Sequence, residues 1–275
     1  MSPSGTMVAG VIGWPVAHSR SPAIHAAAAQ ATGVPLVYGT FPVRPGETDA
    51  ALDAVRALGI RGLSVTMPHK EAVISGLDSM SEAVTALDAV NCVINTDGQL
   101  HGENTDGAGF LHGLREVTGI DVAGRSIGVL GAGGAARAVI HACAQNGASS
   151  VTVVNRSAKR AESATLLAPG IGHVGDHSSL DAVDIVVNAT SVGMAETEAA
   201  GELVVPVEGL AEHAVVVDIV YHPSETPLLA AARARGLQTV GGLPMLVGQA
   251  AIQFQRWTGQ TPLFSPLLEA ALTQK

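Results

Sequence analysis

"SIGVLGAGGAARAVIHAC", residues 126–143, decides how this chain is read. Five mostly apolar residues run straight into Gly131-x-Gly133-x-x-Ala136, and an Ala-rich stretch of helical character follows. This is the strand–turn–helix order of a dinucleotide fingerprint. Gly131 permits the tight turn, Gly133 lets backbone approach a pyrophosphate, and Ala136 lets helix and strand pack closely. A helix N-terminus facing the phosphates completes the site. Gly131, Ala132, Gly133, Gly134 and Ala135 are therefore the candidate phosphate cradle. With 32 glycines in the chain the spacing alone would be weak. Its position between a strand and a helix makes it specific.

The next apolar run, "SVTVVN", should end beside the adenosine ribose. An NAD site usually carries Asp or Glu there, to bind the 2′-hydroxyl. Here the chain reads Asn155-Arg156-Ser157, with Lys159 and Arg160 following. A guanidinium at this point can pair with a 2′-phosphate in bidentate fashion, so the expected cofactor is NADP. "DIVVNATSVGM" supplies another strand with Asn188, Thr190 and Ser191 at its carboxyl end, where an open parallel sheet meets its ligand. A plain turn would use similar residues.

Outward from this core, short β-branched runs alternate with Ala-rich stretches. "MVAGVIG", "LVYGTFPV", "GLSVTM", "AVNCVIN" and "AVVVDIV" read as strands, "SPAIHAAAAQA" and "TDAALDAVRAL" as helices. The alternation predicts an α/β protein with largely parallel sheets. "INTDGQLHGEN" breaks it with a hairpin-like turn at Asp97-Gly98. The strongest internal boundary falls around residues 104 to 125. The 275 residues, 47% apolar, suffice for one large domain or two small ones.

Composition excludes several classes. A net charge of −9 without a basic tract argues against nucleic acid. The uncharged stretch between Arg235 and Arg256 holds four Gly, four Gln and a Pro, which argues against a membrane span. Cys92 and Cys143 have no metal or redox spacing and imply a reducing compartment. "MSPSGTMVAG" lacks a signal-peptide pattern, so the expected location is the cytoplasm.

Two stretches outside the cofactor half carry candidate chemistry. "SVTMPHKEAV", residues 64–73, reads as a strand that turns at Pro68 into a helix, with Lys70 in its first turn. The chain has only Lys70, Lys159 and Lys275, and a helix start disfavours a cation, so a merely solubilising Lys70 would be poorly placed. In "GWPVAHSRSPAIHAAAA", Ser21 suits a helix N-cap and Pro22 the first helical position. Ser19, Ser21 and that helix start would equally cradle a small carboxylate.

Taken together, "GWPVAHSRSPAIH", "SVTMPHK", "AVNCV", "GENTDGAGF", "GAGGAARA", "VNRS", "NATSVGM", "DIVYHPSETPLL" and "GLPMLVGQAAIQFQRWTG" resemble shikimate dehydrogenases, in the family order and over nearly the whole chain. The resemblance implies NADP-linked interconversion of 3-dehydroshikimate and shikimate, a step of aromatic amino-acid biosynthesis. It implies two domains: a Rossmann-type NADP-binding domain over residues 106–239, and an α/β substrate-binding domain with a mostly parallel sheet over 1–105, completed by the helices of 240–275. The active site would lie in the cleft. Carried over by position, Ser19 and Ser21 bind the substrate carboxylate, approached also by Tyr221. Thr66, Asn91, Gln249 and Asp106 contact ring hydroxyls, and Gly242 joins the cofactor set.

Reducing a ketone needs a hydride on carbon and a proton on oxygen. Lys70 can exchange that proton where an arginine, always charged, cannot. Lys70 is thus read as the acid/base group and Asp106 as its orienting partner; the reverse assignment stays open. The chain departs from the family at Ser64, usually Asn, at Cys92, commonly Thr, and at His25-Ala26, usually His-Asn. These departures would bear on affinity or on discrimination against quinate. A broad quinate/shikimate dehydrogenase and a non-catalytic sensor of shikimate-like acids are the rival readings, and the sequence allows a monomer or a homodimer.

Overall fold

In the computed structural model, which describes residues 5–195 and 197–273, the chain divides into two compact units. Unit 1 comprises Met1–Thr105 with Val247–Lys275, and unit 2 comprises Asp106–Leu246. The second crossing thus falls after Leu246 rather than after residue 239.

Unit 2 holds α4 (Asp106–Thr118), β7 (Ser126–Leu130), α5 (Gly134–Gln145), β8 (Ser150–Val154), α6 (Ala158–Thr165), β9 (Gly172–Val174), β10 (Ile185–Asn188), β11 (Val215–Asp218), α7 (Pro227–Ala234) and β12 (Gln238–Val240). The sheet order is β12-β11-β10-β7-β8-β9, with every pair parallel. The chain therefore runs outward from β7 through β8 to β9, then returns to the other side at β10. That reversal is the doubly wound arrangement whose ligand crevice opens at the carboxyl ends of β7 and β10. The strands read as continuous apolar runs because both faces are covered. Ile127, Val129, Val139, Ile140, Val151 and Val153 bury one side, and Leu130, Val186, Val216 and Leu228 the other.

Unit 1 holds β1 (Met7–Gly13), α1 (Ser21–Thr32), β2 (Leu36–Pro42), α2 (Thr48–Leu58), β3 (Gly62–Val65), β4 (Ser79–Met80), α3 (Glu82–Leu87), β5 (Cys92–Thr96) and β6 (Gln99–Glu103). To these are added α8 (Leu243–Thr258), which carries the chain back from unit 2, and α9 (Phe264–Thr273). Its sheet, β2-β1-β3-β5-β6-β4, is mixed: β1 pairs in parallel with β2 and β3, whereas β5 runs antiparallel to β3 and β6. The β5–β6 pair is the hairpin at Asp97-Gly98. Both residues have positive φ (52° and 87°), as a two-residue turn matching strand twist requires.

Two local expectations are corrected. Ser21 is the first residue of α1 rather than its cap; Arg20 occupies that position, with no side-chain cap hydrogen bond. The residues after Pro68 form turns and a single 3-10 turn at Ile74–Gly76, not an α-helix beginning before Lys70. The Lys70 carbonyl accepts from the Val90 N–H at 2.8 Å, so it is committed to tertiary pairing instead of a helical ladder. Lys70 therefore sits in a turn, where no helix dipole opposes its charge.

Candidate active site

In unit 2 the glycine-rich turn behaves as its residue types demand. Gly131 adopts φ +112°, and a Cβ there would lie 2.9 Å from the Ala189 carbonyl oxygen. Ala136 is fully buried, where a larger side chain would part helix from sheet. Gly133 and Gly134 are different: both are exposed, and a Cβ on either would meet no protein atom within 4 Å. Among the described residues, no packing neighbour beyond the adjoining chain requires glycine at these two positions. They stand at the start of α5, where Gly133 supplies no side-chain cap, so the backbone is left bare for an approaching anion. Ala132 and Ala135 flank them, half-buried.

At the end of β8, Asn155 donates from Nδ2 to the Ser157 carbonyl at 3.1 Å, and Ser157 caps α6 by accepting from the Arg160 N–H. Arg156, Lys159 and Arg160 are exposed, and among the described residues none has a carboxylate within salt-bridge distance. Three cations without a carboxylate beside the ribose position fit a dinucleotide bearing a 2′-phosphate.

The loop after β10 is held by a buried chain of hydrogen bonds. Asn188 Oδ1 accepts from the Thr190 N–H (3.0 Å) and hydroxyl (2.7 Å), while Asn188 Nδ2 donates to Asp218 Oδ1 at 2.9 Å. Asp218 also accepts from the Thr226 hydroxyl (2.6 Å) and the Val220 N–H (3.0 Å). Burial pushes the Asp218 carboxyl pKa up, and its donors partly offset this. Thr190 is thereby fixed and Ser191 left exposed at the carboxyl end of β10. Gly242 belongs to this framework: a Cβ there would lie 2.2 Å from the Ile219 carbonyl oxygen. Its requirement for glycine is one of backbone packing. Tyr221, half-buried, follows β11, and Asp106 opens α4, where the helix dipole favours a carboxylate.

In unit 1, Ser19 and Ser21 sit at the entrance to α1, with Ser19 Oγ accepting from the Ser21 N–H at 3.3 Å. Thr66 and Lys70, both half-buried, lie on the turn after β3. Thr66 N–H donates to the Ile12 carbonyl, which ties this turn to the end of β1. His69 is buried; its Nε2 lies 2.7 Å from the Val43 carbonyl and its Nδ1 3.4 Å from Thr48 Oγ1, which gives it a structural role.

Asn91 and Gln249 come together in unit 1 although they lie far apart in sequence. Asn91 Oδ1 accepts from the Thr105 N–H (2.7 Å) and hydroxyl (3.1 Å), and Gln249 Oε1 accepts from Gln253 Nε2 at 2.6 Å. Gln253 Nε2 also reaches the Asn91 carbonyl (3.1 Å) and Thr105 Oγ1 (3.2 Å). Each amide thus has its oxygen engaged by the protein, which defines its N–H₂ as the donor end. Sequence reasoning missed Thr105, Gln253 and Tyr38. The available signal was spacing: Gln249, Gln253 and Trp257 recur at four-residue intervals and share one face of α8.

Beneath this polar cluster lies an aromatic layer. The ring of His25 stacks on Tyr38 at 4.1 Å and 15°, and tilts against Trp257 at 5.1 Å. Among the described residues neither His25 nitrogen has a hydrogen-bond partner. Burial lowers the His25 pKa to about 3, so the ring is neutral here at ordinary pH. Burial likewise raises the Tyr38 pKa, which keeps its phenol a hydrogen-bond donor. Among the described residues no cluster of His, Cys, Asp and Glu could hold a metal ion, and no helix is long and apolar enough to cross a membrane.

Comparison with known proteins agrees with both halves. A family model described as the shikimate dehydrogenase substrate binding domain matches residues 11–93, and one described as the shikimate 5'-dehydrogenase C-terminal domain matches 242–272. Residues 126–222 match a model described as coenzyme F420-dependent NADP oxidoreductase. The NADP(+) shikimate dehydrogenase of Moorella thermoacetica is 43% identical over 267 residues, covering 94% of this chain and 90% of that protein. Among solved structures, the shikimate 5-dehydrogenase of Thermus thermophilus, in complex with NADP(H) and shikimate, is 37% identical with a TM-score of 0.90, covering 98% of this chain and 100% of that one. The quinate dehydrogenase of Corynebacterium glutamicum, in complex with NAD, is 34% identical with a TM-score of 0.87, covering 98% of this chain and 99% of that one. With relatives matched at this identity over almost its whole length, the chain belongs to the shikimate dehydrogenase family.

Proposed function

We propose that this chain catalyses the reversible reduction of 3-dehydroshikimate to shikimate with NADPH, in aromatic amino-acid biosynthesis. The observation that carries the reading is the pair of amides in unit 1, Asn91 and Gln249, whose oxygens are held by Thr105 and Gln253. Amides fixed in that sense are suited to the ring hydroxyls of a polyhydroxylated acid. Ser19 and Ser21 bind its carboxylate together with Tyr221, and Thr66 and Asp106 complete the hydroxyl contacts.

NADP, when bound, would supply the hydride chemistry in either direction. Lys70 manages the proton: as the neutral amine it takes the hydroxyl proton while the C–H hydride leaves, and as the ammonium it returns that proton to the carbonyl oxygen on reduction. Asp106 orients Lys70 and binds a ring hydroxyl. The turn of Gly131, Ala132, Gly133, Gly134 and Ala135 binds the pyrophosphate. Asn155, Arg156, Ser157, Lys159 and Arg160 hold the 2′-phosphate side, with Thr190, Ser191 and Gly242 shaping the nicotinamide side. Two buried, unpaired thiols fit a cytoplasmic protein, acting as a monomer or a homodimer.

Absorbance at 340 nm for the purified protein with shikimate and NADP⁺, and in parallel with quinate and with NAD⁺, tests this. Rapid NADPH formation with shikimate and NADP⁺, and slow reaction of the other pairings, is the expected result. Efficient use of quinate or NAD⁺ would move the chain to the broader dehydrogenases. Shikimate binding without turnover would make it a sensor.

A further inference from the structure

A continuous line of hydrogen bonds crosses the interior of unit 1. Tyr38 donates its phenolic proton to Ser64 Oγ at 2.7 Å. Ser64 donates to Gln253 Oε1, and Gln253 Nε2 donates to Gln249 Oε1 at 2.6 Å. Side branches from Gln253 reach the Asn91 carbonyl and Thr105 Oγ1. The line starts at Tyr38 and ends at a candidate hydroxyl ligand, Gln249. Ser64 and Gln253 are buried along it, and Tyr38 is half-buried.

We propose that Gln253 is a positioning residue for the acid substrate, fixing the side-chain amide of Gln249 and the backbone at Asn91, with Tyr38 and Ser64 holding its own oxygen end. The inference rests on the function proposed above. An amide in a pocket can present either its oxygen or its nitrogen, and the two ends have opposite hydrogen-bonding sense. The Asn91 carbonyl, which can only accept, settles which end Gln253 presents. The Nε2 end is directed at Asn91, Gln249 and Thr105, so Oε1 accepts the Ser64 proton, and the Ser64 oxygen accepts from Tyr38. Gln249 must then accept with its oxygen, and its nitrogen becomes the donor end. Serine at position 64, where the family usually has Asn, belongs to this arrangement. Its short side chain bridges Tyr38 and Gln253, and the carboxamide comes from α8 in place of β3.

The test is steady-state kinetics of wild type, Gln253→Ala and Tyr38→Phe, varying shikimate and NADP⁺ separately. Gln253→Ala should raise the KM for shikimate about ten-fold, the effect of losing one well-placed hydrogen bond. It should change kcat much less and leave the KM for NADP⁺ at the wild-type value. Tyr38→Phe, which removes one oxygen and keeps the aromatic stack, should raise the shikimate KM in the same selective way by a smaller factor. A shikimate KM within two-fold of wild type in Gln253→Ala, or a parallel rise in both KM values, overturns the inference. Should Gln253→Ala fail to fold, Tyr38→Phe decides by the same criterion. A wild type without shikimate turnover overturns the functional reading and this inference together, whereas an active wild type with insensitive variants overturns the inference alone.

Discussion

Lowering the pH should destabilise unit 1 through one residue, His25. Its imidazole is fully buried against Tyr38 and Trp257, both nitrogens without a hydrogen-bond partner among the described residues, and its folded-state pKa is about 3 against an ordinary 6.5. Between these values the unfolded chain binds a proton that the folded chain refuses, so stability falls as pH falls below 6.5. From pH 7 to pH 5 the loss from this group alone is about 2 kcal/mol. That is a sizeable part of the roughly 5–15 kcal/mol that holds a typical protein folded. Other groups titrate too: Asp218, whose pKa burial raises, contributes in the opposite sense, because its folded form gains the proton first as pH falls. The informative quantity is therefore the difference between wild type and His25→Phe, which keeps the aromatic stack and removes the titration. Both tryptophans, Trp14 and Trp257, belong to unit 1, so tryptophan emission during urea denaturation reports on that unit alone. Wild type should lose about 2 kcal/mol more than His25→Phe between pH 7 and pH 5. Equal losses in the two proteins would refute the reasoning, since they would mean that His25 is hydrated or partnered in solution.

The remaining predictions concern the reaction. Lys70→Ala should lower kcat by about two to four orders of magnitude, the usual weight of a general acid–base group; near-normal turnover would transfer that role to Asp106, and pH–rate profiles of Lys70→Ala and Asp106→Asn decide. Arg156→Ala should raise the KM for NADP⁺ by about ten-fold or more while leaving weak NAD⁺ use unchanged, as loss of a charge-assisted contact to a 2′-phosphate requires. Gly133→Val should abolish NADP⁺ binding, followed by nucleotide fluorescence, with a thermal midpoint near that of wild type, because its Cβ would meet no protein atom. Asp218→Ala should destabilise the protein and weaken NADP⁺ binding, since Asn188 Nδ2 and the Thr226 hydroxyl lose a buried acceptor and the Thr190 loop its anchor; a thermal melt and an NADP⁺ titration check both parts.

Local features were legible where chemistry and geometry are set by neighbours in sequence. The strand–glycine turn–helix at 126–143, the alternation of strands and helices, and the Asp97-Gly98 hairpin all follow from backbone freedom and short-range periodicity. So does the missing acid after β8, which reads as NADP because one position along the chain determines what meets the ribose. The helix expected after Pro68 fails for the complementary reason. Its carbonyl at Lys70 is taken by Val90, a residue distant in sequence, and long-range pairing outweighs the propensity of a short segment.

The sequence by itself determined the fold class and the cofactor, because each is written in short contiguous stretches, and it named the candidate side chains for the chemistry. Only the tertiary structure decided how those side chains are held. Tyr38 on β2, Ser64 on β3, Thr105 before α4 and Gln253 on α8 meet in one hydrogen-bonded line although they are scattered along the chain. A hydrogen bond depends on distance and direction in space, which no local pattern encodes. The same holds for His25, whose burial among aromatic rings from other elements sets its charge state.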